Sequence, residues 1–253
     1  MTDHADKLDA PVPGLDTSVK DKRTQGVTRV ARSRRHRQAM IIFSVATIAY
    51  VAFKLPPYLS FDSRNSPIPP EHALHFALLS GHAFSGSIAL LTAVLQLWPW
   101  LRRKYPAAHR ISGRIYIFAG ALPSAVLAVT MYPVTPGAGR VAVLVAATLW
   151  STTSILGWRA ARQKRFAEHR RWMVYSFAIM WGYGVWVFVI ANVLFAIGLD
   201  LSTAMETARW VSWTGNLLIA HWWLERTAGR TIIGVARRSP KLKVTTRVGA
   251  APR

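Results

Sequence analysis

The chain has 253 residues, 32 Lys and Arg against 11 Asp and Glu, a formal net charge of +21, and yet 51% hydrophobic residues. It has no Cys, which excludes disulfides, cysteine-ligated zinc, iron–sulfur ligation by cysteine and thiol catalysis. A soluble nucleic-acid-binding domain would spread such charge around a core. Here charge and apolar residues are segregated along the chain, which points to a membrane and to no nucleic-acid partner.

Residues 1–38 are polar and rich in Lys and Arg, the composition of a disordered cytoplasmic tail. Six apolar segments follow, at 39–55, 72–98, 112–132, 139–158, 172–196 and 208–224. Each is close to the ~20 residues that a helix needs to cross a bilayer core of ~30 Å. The expectation is an all-α polytopic membrane protein, a six-helix transmembrane bundle over 39–224, ending in a second basic tail over 225–253. Counted in alternate connecting segments, Lys and Arg divide 28 to 4 and the acidic residues 7 to 4. The positive-inside rule then places both termini in the cytoplasm. Only Lys54, Arg64, Arg140 and Arg209 fall outside, where the formal charge sums to zero. Trp98, Trp100, Trp158, Trp172, Trp222 and Trp223 lie near the inner boundary and Trp210 and Trp213 near the outer one, as an interfacial belt. Trp150, Trp181 and Trp186 are deeper and are expected to pack between helices.

No Lys, Arg, Asp or Glu lies deep in a predicted span, so histidine is the one titratable candidate there for a relay or ligand. The second segment concentrates its polar residues. At about 100° per residue, His75, His82, Ser85, Gly86, Thr92 and Gln96 fall within an arc of about 120°. A polar stripe along a membrane helix faces the bundle interior or a water-filled cavity. It serves either interhelical hydrogen bonding or a ligand. His82 lies about 15 Å along the helix from His72, near mid-membrane. The fourth segment offers Thr148, Ser151, Thr152, Thr153 and Ser154 as polar neighbours, the fifth Tyr183 and Asn192, the sixth Asn216.

The other histidines gather at the predicted cytoplasmic edge. His109 and His169 each precede a span and each is followed by an arginine, Arg110 and Arg170. His221 lies four residues before Glu225. Basic residues there anchor topology against anionic lipid headgroups, while His109, His169 and His221 are also potential metal ligands.

Several motifs occur in fixed order: Gly81-His82, Gln96, Leu101-Arg102-Arg103-Lys104, then His109-Arg110-Ile111-Ser112-Gly113-Arg114-Ile115-Tyr116. Trp150 with Thr152, and His169-Arg170-Arg171-Trp172-Met173, complete the set. Over about residues 72–195 the chain resembles a bacterial multi-pass membrane family, domain of unknown function 2306. That family often carries an arginine soon after the last motif and another farther along the helix. Val174 and the region of Trp186 stand there in this chain. The resemblance implies a helical protein of the bacterial cytoplasmic (inner) membrane and no established activity.

Three functions compete. His on membrane helices is the usual means of holding haem b, so electron transfer with haem or a metal ion as cofactor is one. Transport or binding of a small molecule or lipid headgroup along the stripe is the second; across these readings the functional or cofactor-binding candidates are His75, His82, Gln96, His109, Arg110, Thr152 and His169. A non-catalytic assembly partner is the third. No glycine loop that would cradle phosphate and no catalytic serine motif is present, so no enzymatic reaction is indicated.

Overall fold

A computed structural model describes residues 34, 37–60, 62–66, 73–133 and 137–227. Most of the two basic tails falls outside these residues. Among those described there is no strand. The long helices are α1 (Arg37–Lys54), α3 (Ala73–Leu97), α5 (Pro106–Thr130), α6 (Arg140–Arg162), α7 (Phe166–Ala196) and α8 (Leu201–Thr227). Two short helices, α2 (Pro56–Leu59) and α4 (Pro99–Lys104), link α1 to α3 and α3 to α5. The first five long helices are long and apolar enough to cross a membrane. The sixth is a 27-residue helix but less apolar, because Glu206, Arg209, Asn216, His221, Glu225 and Arg226 all fall within it. The six-segment expectation therefore holds for the helices, and by length and composition it holds for five membrane spans.

Residue contacts fix the directions of the helices. Along α3 and α5, Gln96 meets His109 while His82 meets Ser124. The pairs run in opposite order, so the helices are antiparallel. The same holds for α6 and α7, where His169 meets Gly157 and Ser176 meets Ser154. It holds for α7 and α8 as well, through Tyr175 with His221 and Ala178 with Asn216. The first helix runs parallel to α7: Phe43 packs on Phe177 and Tyr50 bonds Gly184. The starts of α1 and α7 and the end of α8 thus share one end, here the basic end. Lys54, Arg140 and Arg209 lie toward the other.

Two helices carry a π-helical stretch, Tyr116–Ala121 in α5 and Gly182–Trp186 in α7. The first stops just before Pro123, whose ring lacks an N–H and crowds the carbonyl four residues back, so the extra residue relaxes the helix at that point. Each stretch also holds the glycine at its tightest crossing. A Cβ on Gly120 would sit 2.9 Å from the backbone of Ala89, and one on Gly182 would sit 2.6 Å from the carbonyl oxygen of Ser212. Small residues let membrane helices approach this closely and gain dispersion contacts that apolar burial does not supply in lipid. Ala89, Ala93, Ala121, Ala125, Ala146 and Ala147 continue the theme in the core.

The periphery is apolar. Ile41, Ile42, Val45, Ile48 and Phe53 of α1 point outward, as do Val189, Val193 and Phe195 of α7, a surface suited to lipid. Two tryptophans depart from the sequence expectation. Trp213 is buried at 5% exposure in the core, and Trp186 is 42% exposed. Depth in the segment, on which that expectation rests, does not fix which way a side chain faces, and the π stretch Gly182–Trp186 changes the facing of α7 at this point.

Gly120→Val should destabilise the detergent-solubilised protein by about 1–3 kcal/mol, the usual cost of forcing bulk into a packed contact. Gly215→Ala, in open space within α8, should be neutral or stabilising by up to about 1 kcal/mol. Thermal unfolding followed by circular dichroism measures both, and equal melting temperatures for the two variants would refute the crossing argument.

Candidate functional site

The stripe on α3 splits into two neighbourhoods at opposite ends of the helix, His82 and Gln96 being about 21 Å apart along the axis. At the basic end, Gln96 donates through Nε2 to the carbonyl of His109 at 2.8 Å and to Ser112 Oγ at 2.5 Å. Ser112 in turn donates to the Ala108 carbonyl. Gln96 thereby ties α3 to the first turns of α5 and is a structural clasp. His109 Nδ1 is buried with no partner among the described residues. Arg102, Arg110 and His169 lie near enough to act on His109 electrostatically.

His169 is fixed by the Gly157 carbonyl, 2.8 Å from its Nδ1. A carbonyl only accepts, so Nδ1 carries the proton and Nε2 is left as the acceptor in the neutral ring. Arg170 reaches Thr227 Oγ1 at 3.1 Å and lies over the Trp223 ring, while Arg110 is exposed. His221 is engaged elsewhere, with Tyr175 at 2.9 Å. Among the described residues no group of three His, Asp or Glu comes together that could hold a metal. The expected set of His109, His169 and His221 is accordingly not assembled: His221 faces Tyr175 on the exposed side of α7 and α8.

Toward the other end, the bundle encloses a cavity of about 300 Å³. Helix α3 supplies His75, Leu79, His82, Gly86 and Leu90 to its wall. His75 is buried; His82 is partly so, and its Nδ1 lies 2.8 Å from the Ser124 carbonyl. By the same reasoning His82 is protonated on Nδ1, and its Nε2 is the ring's acceptor. The carbonyl belongs to the turn just after the π stretch of α5, next to Pro123. Ala146 and Trp150 of α6 and Ile179 and Met180 of α7 form the apolar wall. Tyr50 closes the side toward α1 by donating to the Gly184 carbonyl in the π turn of α7.

Below the cavity a buried polar knot joins three helices. Tyr116 Oη is 2.7 Å from Ser176 Oγ and accepts from Trp150 Nε1 at 3.1 Å, and Ser176 meets Ser154 at 2.8 Å. Trp150 thus belongs both to the knot and to the cavity wall.

Residues 79–224 match the model of a family described as a predicted membrane protein (DUF2306). The chain belongs to this family. The match runs beyond the 72–195 of the sequence resemblance to take in most of α8. Neither a curated protein nor a solved structure matches the chain. Of the family-like motif residues, the structure brings His82 to the cavity, Tyr116 and Trp150 to the knot, and Gln96 to His109 and Ser112. Thr152 points the other way: it is exposed and bonds only the Thr148 carbonyl of its own helix. Its neighbours Thr153 and Ser154 are the ones that turn inward.

Sequence reasoning passed over Lys54, Arg140 and Arg209, which line the cavity. The signal was their rarity. Positive charge is depleted from one set of connecting segments, and each of the few that remain there needs a reason.

Tyr116→Phe leaves the Trp150 N–H and a serine hydroxyl without their partner and should cost about 1–3 kcal/mol. Ser176→Ala should cost a similar amount, and the double variant less than the two together, because both act on one network. Thermal melts of the four proteins decide; strict additivity would show that the hydroxyls do not act as a unit.

Proposed function

We propose that this family member is a six-crossing protein of the bacterial cytoplasmic membrane, with both tails in the cytoplasm, that binds a small molecule in the cavity between α1, α3, α5, α6, α7 and α8. The 28-to-4 division of Lys and Arg supports the orientation, and α8 supplies the sixth crossing despite its polar residues. The observation that carries the binding reading is the cavity itself. About 300 Å³ is at the small end of ligand pockets, and an apolar wall with a few placed polar groups is their usual make-up. The upper half of the α3 stripe, His75 and His82, opens onto this space, which gives the stripe a purpose beyond packing.

A haem between two histidines needs imidazoles from different elements facing each other. His75 and His82 rise from one helix, seven residues apart. That geometry favours a small organic molecule over electron transfer through haem. At the basic end, Arg102, Arg103, Arg110 and Arg171 are exposed and are suited to anionic headgroups of the cytoplasmic leaflet.

In membranes, decanol bearing a diazirine should photolabel peptides of α3, α6 and α7 that line the cavity. Ala146→Phe, which fills the space, should reduce that labelling by roughly tenfold, the equivalent of about 1.4 kcal/mol. Labelling confined to the outer apolar surface, unchanged in the variant, would overturn the reading. So would a Soret band in protein purified from haem-replete cells, which would restore the haem reading.

A further inference from the structure

Of the four Lys and Arg that the charge division places outside, three line the cavity: Lys54, Arg140 and Arg209. They come from three helices. Lys54 is the last residue of α1 and Arg140 the first of α6, while Arg209 lies two turns into α8. All three are partly buried. None makes an ion pair among the described residues, where Arg64 pairs with Asp62 and Arg165 with Glu168.

What holds them is neutral. Lys54 Nζ lies 4.3 Å from the Phe188 ring centroid. Arg140 donates to the Tyr132 carbonyl and lies 4.5 Å from the ring of the same residue. Arg209 donates to the Ala138 carbonyl. Its shaft lies against Gly139, where a Cβ would come within 2.7 Å of Cδ. Glycine is doubly required there, since φ is +76°. Arg140 Nε is moreover buried with no partner among the described residues, a donor left available to an occupant of the cavity.

The described acids at this end are directed elsewhere. Asp62 is half-buried and does not line the cavity, and its hydrogen bond from the Arg64 side chain holds its carboxyl below the usual carboxylate range. Asp200 accepts from the Thr203 N–H at 3.0 Å as a cap on α8, which likewise lowers its pKa. Glu206 is exposed, and no acidic side chain lines the cavity. Among the described residues of the outer segments, three of the four cations therefore line the cavity and no carboxylate does. Three like charges lining one largely apolar cavity, with no acidic side chain among the lining, favour an anion there.

We propose that the occupant is an anionic amphiphile. Its carboxylate or phosphate group sits among Lys54, Arg140 and Arg209, and its apolar body extends along Leu79, Leu90 and Met180 toward Trp150. This rests on the cavity being a binding site and adds the chemical class of what it binds. The cations lie at or near helix ends, and the apolar wall lies toward the bundle centre, so head and body have separate places.

The test uses the full chain in membranes, with diazirine-bearing decanoate and decanol as matched probes. Cavity peptides should be labelled by decanoate at least about tenfold more efficiently than by decanol, a preference equivalent to about 1.4 kcal/mol. Lys54→Gln and the double variant Arg140→Gln/Arg209→Gln should erase most of that preference. Arg140→Lys/Arg209→Lys should retain much of it. Lys54 makes no hydrogen bond with the backbone among the described residues, so its variant tests charge even if the arginine variants fail to fold. Unlabelled decanoate, but not inorganic phosphate, should compete. Competition by inorganic phosphate at equal concentration would support the anion site and identify the source as a free anion, which removes the apolar body from the proposal. Equal labelling by acid and alcohol would overturn the anionic head while leaving the binding cavity intact. Absence of cavity labelling by either probe would instead remove the cavity reading on which the proposal rests.

Discussion

Lipid tails are as apolar as leucine, so burying one helix face against another gains little in a membrane unless the backbones come close or polar groups bond across the gap. The chain uses both means. Gly120 meets the backbone of Ala89, and Gly182 meets that of Ser212. Between these two crossings, Tyr116, Trp150, Ser154 and Ser176 bond across α5, α6 and α7. Each crossing lies in a π stretch. The irregular turns are thus where the bundle is drawn tight, and the wider space left on the far side of the knot is the cavity.

The division of labour along α3 follows. Its lower half is spent on assembly, with Gln96 bonded to the start of α5. Its upper half faces the cavity, with His82 fixed by a carbonyl beside Pro123. One stripe of polar residues therefore has two roles, and the Gly120–Ala89 contact lies between them.

Much of this was legible in the sequence. Helical periodicity and apolar length give the six helices, and the 100° spacing correctly turns His75, His82, Ser85 and Gln96 inward. The limits are equally physical. Periodicity in α6 cannot distinguish Thr152 from Thr153, because a hydroxyl satisfied by its own helix is comfortable on a lipid-facing side. The π turn in α7 moves Trp186 out of the phase that an unbroken helix would give it. Charge summed over a loop hides direction: Arg64 and Asp62 pair in solvent, while Arg140 and Arg209 fold back over the bundle. The partners of His82 and His169 are backbone carbonyls on other helices, which carry no residue-type signature at all.

The matched family stretch begins at residue 79, within α3. Tyr50, Lys54, Tyr58 and His75 all precede it, yet all four line the cavity. The matched stretch alone thus leaves one side of the cavity unwalled, and the missing stave comes from upstream of it in this chain. That stave is held by few polar contacts, chiefly Tyr50 on Gly184 and Ser44 on Trp98. A change confined to α1 or α2 would therefore reshape the cavity while leaving the matched stretch untouched.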